Sequence, residues 1–263
     1  MENPRVFKCY SIGFSLERTT YLTAGLDMKN FEKNKWELFV FDWDGTIMDT
    51  TGLIVQGYQH ASVVMGYPEP TAEAVRRTIG MNSRDTLLTL CKDIPLELHE
   101  KFFRTYRDWY LEREAQVDLV PGMRELLFGL KDAGFRLALA TGKSNQGVAR
   151  VFKKFGLAPI FEAVQTADKS FSKPNPAMMY NLADETGLEC RQMVMVGDSP
   201  LDLLMASNAG AAGIGMTYGA GNPDELKAAP HEALCTCVGD LARALGVEEV
   251  VKLPLEAFKP YGV

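Results

Sequence analysis

The chain has 263 residues, 46% hydrophobic and 24% charged, a balance that supports a large folded core and excludes bulk disorder. Its formal net charge of −6 argues against a nucleic-acid binder held by a basic surface, so any phosphate must be gripped locally. No run reaches the ~18 apolar residues of a membrane span, and Cys9, Cys91, Cys190, Cys235 and Cys237 form no CxxC pair, which fits a reducing cytoplasm.

Residues 1–35 show neither a helical nor an alternating period and are expected to be an appendage. Met28 lies shortly before the first strand, so residues 1–27 read as a gene-start artefact, with a docking arm as the alternative. Arg5, Lys8, Glu17 and Arg18 interrupt the apolar stretch that a signal peptide needs. The segment WELFVFDWDGT predicts a strand over 37–41, apolar on both faces as a strand inside a parallel sheet must be. From 50 to 118 the pattern is helical, with breaks at Gly66, Pro68, Gly80 and Pro95.

After Pro121 and Gly122 the chain alternates. Helices are predicted over 123–133, 145–156, 176–187 and 200–209, with strands over 136–140, 192–197 and 211–216 and a weak strand over 161–166. The fold class is therefore α/β: a doubly wound parallel sheet, Rossmann-like, built from 36–49 and 119–248. An all-helical cap, 50–118, interrupts it, and 249–263 form a tail.

In such sheets ligands bind outside the carboxyl ends of the strands, so the residues following each strand carry the functional reading. The first strand ends at Asp42 and Asp44, the second at Thr141 and Gly142, and the 192–197 strand at Gly197, Asp198, Ser199 and Asp202, with Lys173 on a nearby loop. Clustered carboxylates repel one another unless a hard divalent cation neutralises them. Mg2+ suits oxygen ligands and is commonly held by one or two carboxylates plus a substrate phosphate. Two acids spaced by one residue can also divide the work of nucleophile and general acid or base.

DWDGT at 42–46, ALATGKS at 138–144, KPNP at 173–176 and VGDSPLDLLMASNAG at 196–210 occur in the order and at the strand ends of one superfamily. The sequence resembles the haloacid dehalogenase superfamily, in its phosphoglycolate phosphatase-like branch with a helical cap, from about Trp36 to about Leu245. The resemblance implies that Asp42 attacks phosphorus to form an aspartyl phosphate and that Asp44 protonates the leaving alkoxide and then activates water. It gives Thr141 a hydrogen bond to the phosphoryl oxygens and Lys173 the neutralisation of charge. It assigns Mg2+ to Asp42, Asp198 and the backbone carbonyl of Asp44, with Asp202 supporting the metal. Amides around Gly45, Thr46 and Gly142 are expected to cradle the phosphate.

The remaining residues are weighed against plainer roles. Asp49 is expected to cap the helix that follows. Lys143 is expected to be solvated more often than bound to substrate. Arg76, Arg77 and Arg84 flank the break TIGMN at 78–82; that break is the candidate specificity loop and Arg84 the candidate substrate-binding cation. Cys235 and Cys237 are expected to be buried rather than to hold zinc. Ser170–Lys173 lacks the partner motifs of a serine acylase, and Gly213, Gly215 and Gly219 have the wrong spacing for a dinucleotide fingerprint. Trp43 is expected to pack, with a lean toward the cap.

Asp44 argues against a dehalogenase, which the resemblance implies would lack the second acid. A mutase similar to β-phosphoglucomutase keeps the same core acids, and a noncatalytic binding module on this fold is the alternative from another class. The expected partner is a small phosphorylated metabolite, 2-phosphoglycolate first, with no nucleic acid and no membrane.

Overall fold

The computed structural model describes residues 35–261. The reading of residues 1–27 and Cys9 lies outside them. Six parallel strands form one sheet in the order β3-β2-β1-β4-β5-β6. They are β1 (Leu38–Phe41), β2 (Arg136–Ala140), β3 (Ala163–Gln165), β4 (Met193–Gly197), β5 (Ala212–Met216) and β6 (Ala233–Cys235).

The unbroken apolar run of β1 follows from its central place. Phe39 and Phe41 enter the core on one face, while Leu38 and Val40 enter the core on the other. Leu137 and Leu139 of β2 and Val194 and Val196 of β4 join the first core; Ala138, Ala140, Met193 and Met195 join the second. Each fully buried large side chain of β1 contributes about 1.5–3 kcal/mol relative to exposure.

The first face is covered by α5 (Met123–Asp132), α6 (Asn145–Phe155) and α10 (Val238–Ala244), and the second by α7 (Ala177–Thr186) and α8 (Pro200–Ala209). Between β5 and β6 runs the short α9 (Pro223–Ala228). The chain leaves β1 toward β2 on one side and reaches β4 on the other, so the strand order reverses at β1.

Between β1 and α5 stand four helices, α1 (Thr51–Val64), α2 (Ala72–Arg76), α3 (Ser83–Leu90) and α4 (Leu96–Glu114). They share a separate core that includes Val55, Tyr58, Val75, Leu87 and Phe102. Thr71 caps α2 by accepting the Ala74 amide at 3.1 Å, and Asn82 caps α3 by accepting that of Asp85 at 2.9 Å. Each such cap stabilises its helix by about 1 kcal/mol. At Gly57 of α1 an added Cβ would lie 2.8 Å from the Tyr106 ring, so the missing side chain lets α4 approach.

The predicted strands recur with small shifts; the weak strand shortens to β3, and β6, α9 and α10 were not anticipated. Cys235 ends β6 and Cys237 precedes α10, both buried. The tail folds back onto the core: Ala257 lies where a Cβ on Gly122 would fall, at 2.3 Å, and Phe258 covers Gly239.

Asp49 departs from expectation. Thr50 occupies the N-cap of α1, and Asp49 instead accepts a hydrogen bond from Tyr261 Oη of the tail at 2.8 Å. Nor does the Thr50 hydroxyl cap the helix, because it donates to Asp44 Oδ1 at 2.7 Å.

Candidate active site

The Asp42 amide donates to the Val196 carbonyl at 2.9 Å and extends the β1–β4 ladder by one residue. The Thr141 amide does the same for β2 and β3 through the Gln165 carbonyl at 3.0 Å. Asp42, Thr141 and Asp198 thus emerge along one rim of the sheet, all buried. The Thr141 hydroxyl accepts the Lys143 amide at 3.2 Å, which fixes the turn into α6.

Lys173 is 1% exposed, so its charge survives only because acids surround it. Its Nζ lies 2.5 Å from Asp202 Oδ1 and 2.8 Å from Asp42 Oδ1. Burial alone would lower its pKa, but Asp202 and Asp42 hold it above the ordinary lysine range. Asp202 Oδ2 accepts the Ser199 amide and hydroxyl at 3.1 and 2.8 Å, which anchors the start of α8. Both Asp202 oxygens are therefore engaged.

Asp198 is held as tightly. Thr46 Oγ1 donates to its Oδ1 at 2.9 Å and the Ala220 amide to its Oδ2 at 2.6 Å. Two glycines make this possible: a Cβ at Gly45, where φ is +83°, or at Gly219 would fall 2.3 or 2.1 Å from Asp198 Oδ2. Tyr218 Oη donates to the Thr46 carbonyl at 2.8 Å and braces the turn.

Asp42, Asp198 and Asp202 each offer an oxygen within 4.8 Å of the others. Three buried carboxylates face one buried cation, Lys173, which leaves negative charge uncompensated. Burial and the Asp202 charge push Asp42 up to about 7 against the pull of Lys173. Burial, then Asp202 and Asp42, push Asp198 well above the carboxylate range. Asp42 Oδ1 is buried without an aligned hydrogen-bond donor, although Lys173 lies at ion-pair distance. A hard divalent cation fits this all-oxygen, charge-deficient set.

Above the acids lies a cavity of about 460 Å³. Asp42, Asp44, Gly142 and Lys143 line its floor, while Thr78, Ile79, Gly80 and Met81 of the predicted specificity break close one side. A Cβ on Gly142 would meet the Met81 and Gly80 carbonyls at 2.7 and 2.8 Å, so glycine is what lets the break rest on the floor.

Several predicted residues take other positions. Thr46 is fully buried and spends its hydroxyl on Asp198, and the Gly45 amide donates to the Met48 carbonyl at 2.9 Å, so neither group is directed at a substrate. Arg84 is exposed and does not line the cavity: Ser83 and Thr86 present the inner face of α3, and a residue one step from Ser83 is turned by about 100°. Arg77 pairs with Glu73 and Glu225, and Arg76 lies outside the cavity. Trp43 points into the sheet core, against Phe152 and Phe155, away from the cap.

Lys143 is not solvated. Its side chain is 9% exposed, with Nζ 3.0 Å from Asp44 Oδ1, 3.3 Å from Tyr110 Oη and 3.8 Å from Glu114 Oε1. Burial, then the Asp44 and Glu114 charges, hold the Tyr110 hydroxyl well above its usual range. Arg150 grips Glu114 through two nitrogens, at 2.5 and 3.2 Å. Sequence reasoning passed over Glu114, Arg150 and Tyr110. Their only signal was helical spacing, and that becomes informative once α4 is placed against α6.

A model of the haloacid dehalogenase-like hydrolase family matches residues 39–216. The chain belongs to this family. Among its relatives, a phosphoglycolate phosphatase of Vibrio parahaemolyticus is 31% identical over 221 residues, covering 80% of this chain and 96% of that protein. A probable phosphatase, IndB, of Dickeya dadantii is 32% identical over 212 residues, 79% of this chain and 92% of the relative. Among solved structures, a predicted phosphoglycolate phosphatase from Haemophilus somnus superposes with a TM-score of 0.69 at 26% identity, covering 77% of this chain and 95% of that one. Among the described residues the acid trio Asp42, Asp198 and Asp202 is the cluster able to hold a metal, and no helix is long and apolar enough to cross a membrane.

Proposed function

We propose that this hydrolase is a Mg2+-dependent phosphatase of small phosphate monoesters that works through an aspartyl phosphate on Asp42. The observation that carries the reading is Asp42 at the floor of the cavity, ion-paired from behind with Lys173, which also pairs with Asp202, beside a second anchored acid, Asp198.

Asp42 and Asp198, with the Asp44 carbonyl, would hold the metal, and Asp202 supports the site through Lys173. When bound, Mg2+ supplies positive charge to the transferring phosphoryl oxygens. The Asp42 carboxylate attacks phosphorus, and Lys173 favours its ionised form and orients it. Asp44 faces the cavity from across the turn, fixed by Thr50 and Lys143, where it delivers a proton to the departing alkoxide. Deprotonated after that transfer, Asp44 withdraws a proton from the water that attacks phosphorus, and Asp42 is released. Thr141 and the turn that follows it take the phosphoryl oxygens.

The names of the relatives make 2-phosphoglycolate the first candidate substrate. The test is release of inorganic phosphate from p-nitrophenyl phosphate and 2-phosphoglycolate, with Mg2+ and with EDTA. Turnover that requires Mg2+ and disappears in Asp42→Asn supports the proposal. Absence of turnover by the wild-type protein, or an active Asp42→Asn variant, overturns it.

A further inference from the structure

The cations lining the cavity do not all have the same freedom. Lys143 is neutralised by Asp44 at 3.0 Å, and Arg150 by Glu114 at 2.5 and 3.2 Å. Arg107 of α4 also lines the cavity, and among the described residues no carboxylate pairs with it. Other arginines of the same helix are occupied: Arg104 pairs with Glu100, and Arg113 pairs with Glu112 and lies over the Trp109 ring.

Phe103, Tyr106, Arg107, Tyr110 and Leu111 recur at helical spacing and line the cavity together. Tyr110 marks the inner end, since its hydroxyl meets Lys143 beside Asp44. Arg107 is three residues back along α4, about 5 Å along the helix axis at 1.5 Å per residue. The wall between them is aromatic and aliphatic. Arg107 is exposed, as Arg84 is, but it lines the cavity where Arg84 does not; it stands at the solvent-facing end of this wall as the unpaired charge able to receive an anion on the leaving half of a substrate.

We infer that Arg107 binds a second anionic group, a carboxylate or a phosphate, carried by the leaving half of the phosphoester. This rests on the phosphatase reading of the same cavity. It also moves the specificity cation from the 78–82 break to the last helix before α5. The planar guanidinium can take either oxyanion with two parallel hydrogen bonds, so the two sources are separated by experiment.

Two matched substrate pairs test the inference in the wild type, Arg107→Gln and Arg107→Lys, each with Mg2+. The first pair is 2-phosphoglycolate and 2-hydroxyethyl phosphate; the second is 1,3-propanediol bisphosphate and 3-hydroxypropyl phosphate. In at least one pair, the ratio of kcat/KM for the charged over the neutral ester falls about 10- to 100-fold in Arg107→Gln, chiefly through KM. Arg107→Lys recovers part of the ratio, because it restores the charge without the fork. The pair that responds identifies a carboxylate or a phosphate as the second group. A ratio unchanged within threefold in both pairs, with the wild type turning over the esters, overturns the Arg107 assignment alone. A wild type that hydrolyses none of the four esters overturns this inference together with the phosphatase reading.

Discussion

Replacing Lys173 with Met keeps much of the side-chain volume and removes the cation that holds the rim together. The ammonium is 1% exposed and lies 2.5 and 2.8 Å from two carboxylates that are themselves buried. Its removal leaves Asp42, Asp202 and Asp198 with no compensating charge inside the fold. Breaking a buried pair by deleting one partner costs about 3–5 kcal/mol. For a chain of this size that corresponds to a fall in Tm of roughly 6–20 °C. Calorimetry in EDTA at pH 7.5 reads it directly. The deficit narrows at pH 5, because the orphaned acids then take up protons in the folded state. Mg2+ raises the Tm of the variant more than that of the wild type, since the ion replaces part of the missing charge. A Tm within 2 °C of wild type in EDTA at pH 7.5 would refute the reasoning about the buried charges.

The raised Asp42 pKa gives a second expectation. Its folded value is near 7 against the ordinary 3.8, so the folded state binds the extra proton between these values, and stability falls as pH rises through that window. Urea titrations in EDTA at pH 5 and pH 7.5 are expected to show a steeper loss for the wild type than for Asp42→Asn; equal losses would contradict it. Gly219→Ala forces a Cβ to within 2.1 Å of Asp198 Oδ2, so Mg2+ affinity is expected to fall about 10- to 100-fold while the circular dichroism spectrum stays native. Unchanged affinity by calorimetric titration would show that Asp198 is not a ligand. Glu114→Gln removes the carboxylate shared by Arg150 and Lys143, and because Arg150 is 40% exposed the cost is discounted to about 1–2 kcal/mol, measurable in urea.

The sheet was legible because its strands are short, apolar on both faces and separated by helical periods. β2 and α8 coincide with their predicted spans, 136–140 and 200–209. β6 was not, because Ala233 and Leu234 are half-buried at the sheet edge and show neither a continuous run nor an alternation. That Asp42, Asp44, Asp198 and Lys173 gather at one rim was legible from motifs placed at strand ends and on the loop after β3. Thr46 and Gly45 were read as phosphate contacts because sequence position does not say where a hydroxyl or an amide points; in the fold they serve Asp198 and the Met48 carbonyl. The cap was least legible. Whether Arg84 or Arg107 faces the cavity depends on how α3 and α4 roll against their neighbours, and a charged residue on either face leaves the apolar period unchanged. Lys143 escaped for a related reason, since its partner Glu114 ends a helix remote in sequence.

The central claim is that Asp42 carries the phosphoryl group during turnover. Rapid acid quench during steady-state hydrolysis of p-nitrophenyl phosphate, followed by borohydride reduction and peptide mass spectrometry, converts an aspartyl phosphate to homoserine at the residue that held it. The account predicts homoserine at position 42, formed only when both substrate and Mg2+ are present. Homoserine at Asp44, Asp198 or Asp202 in place of Asp42 would contradict it.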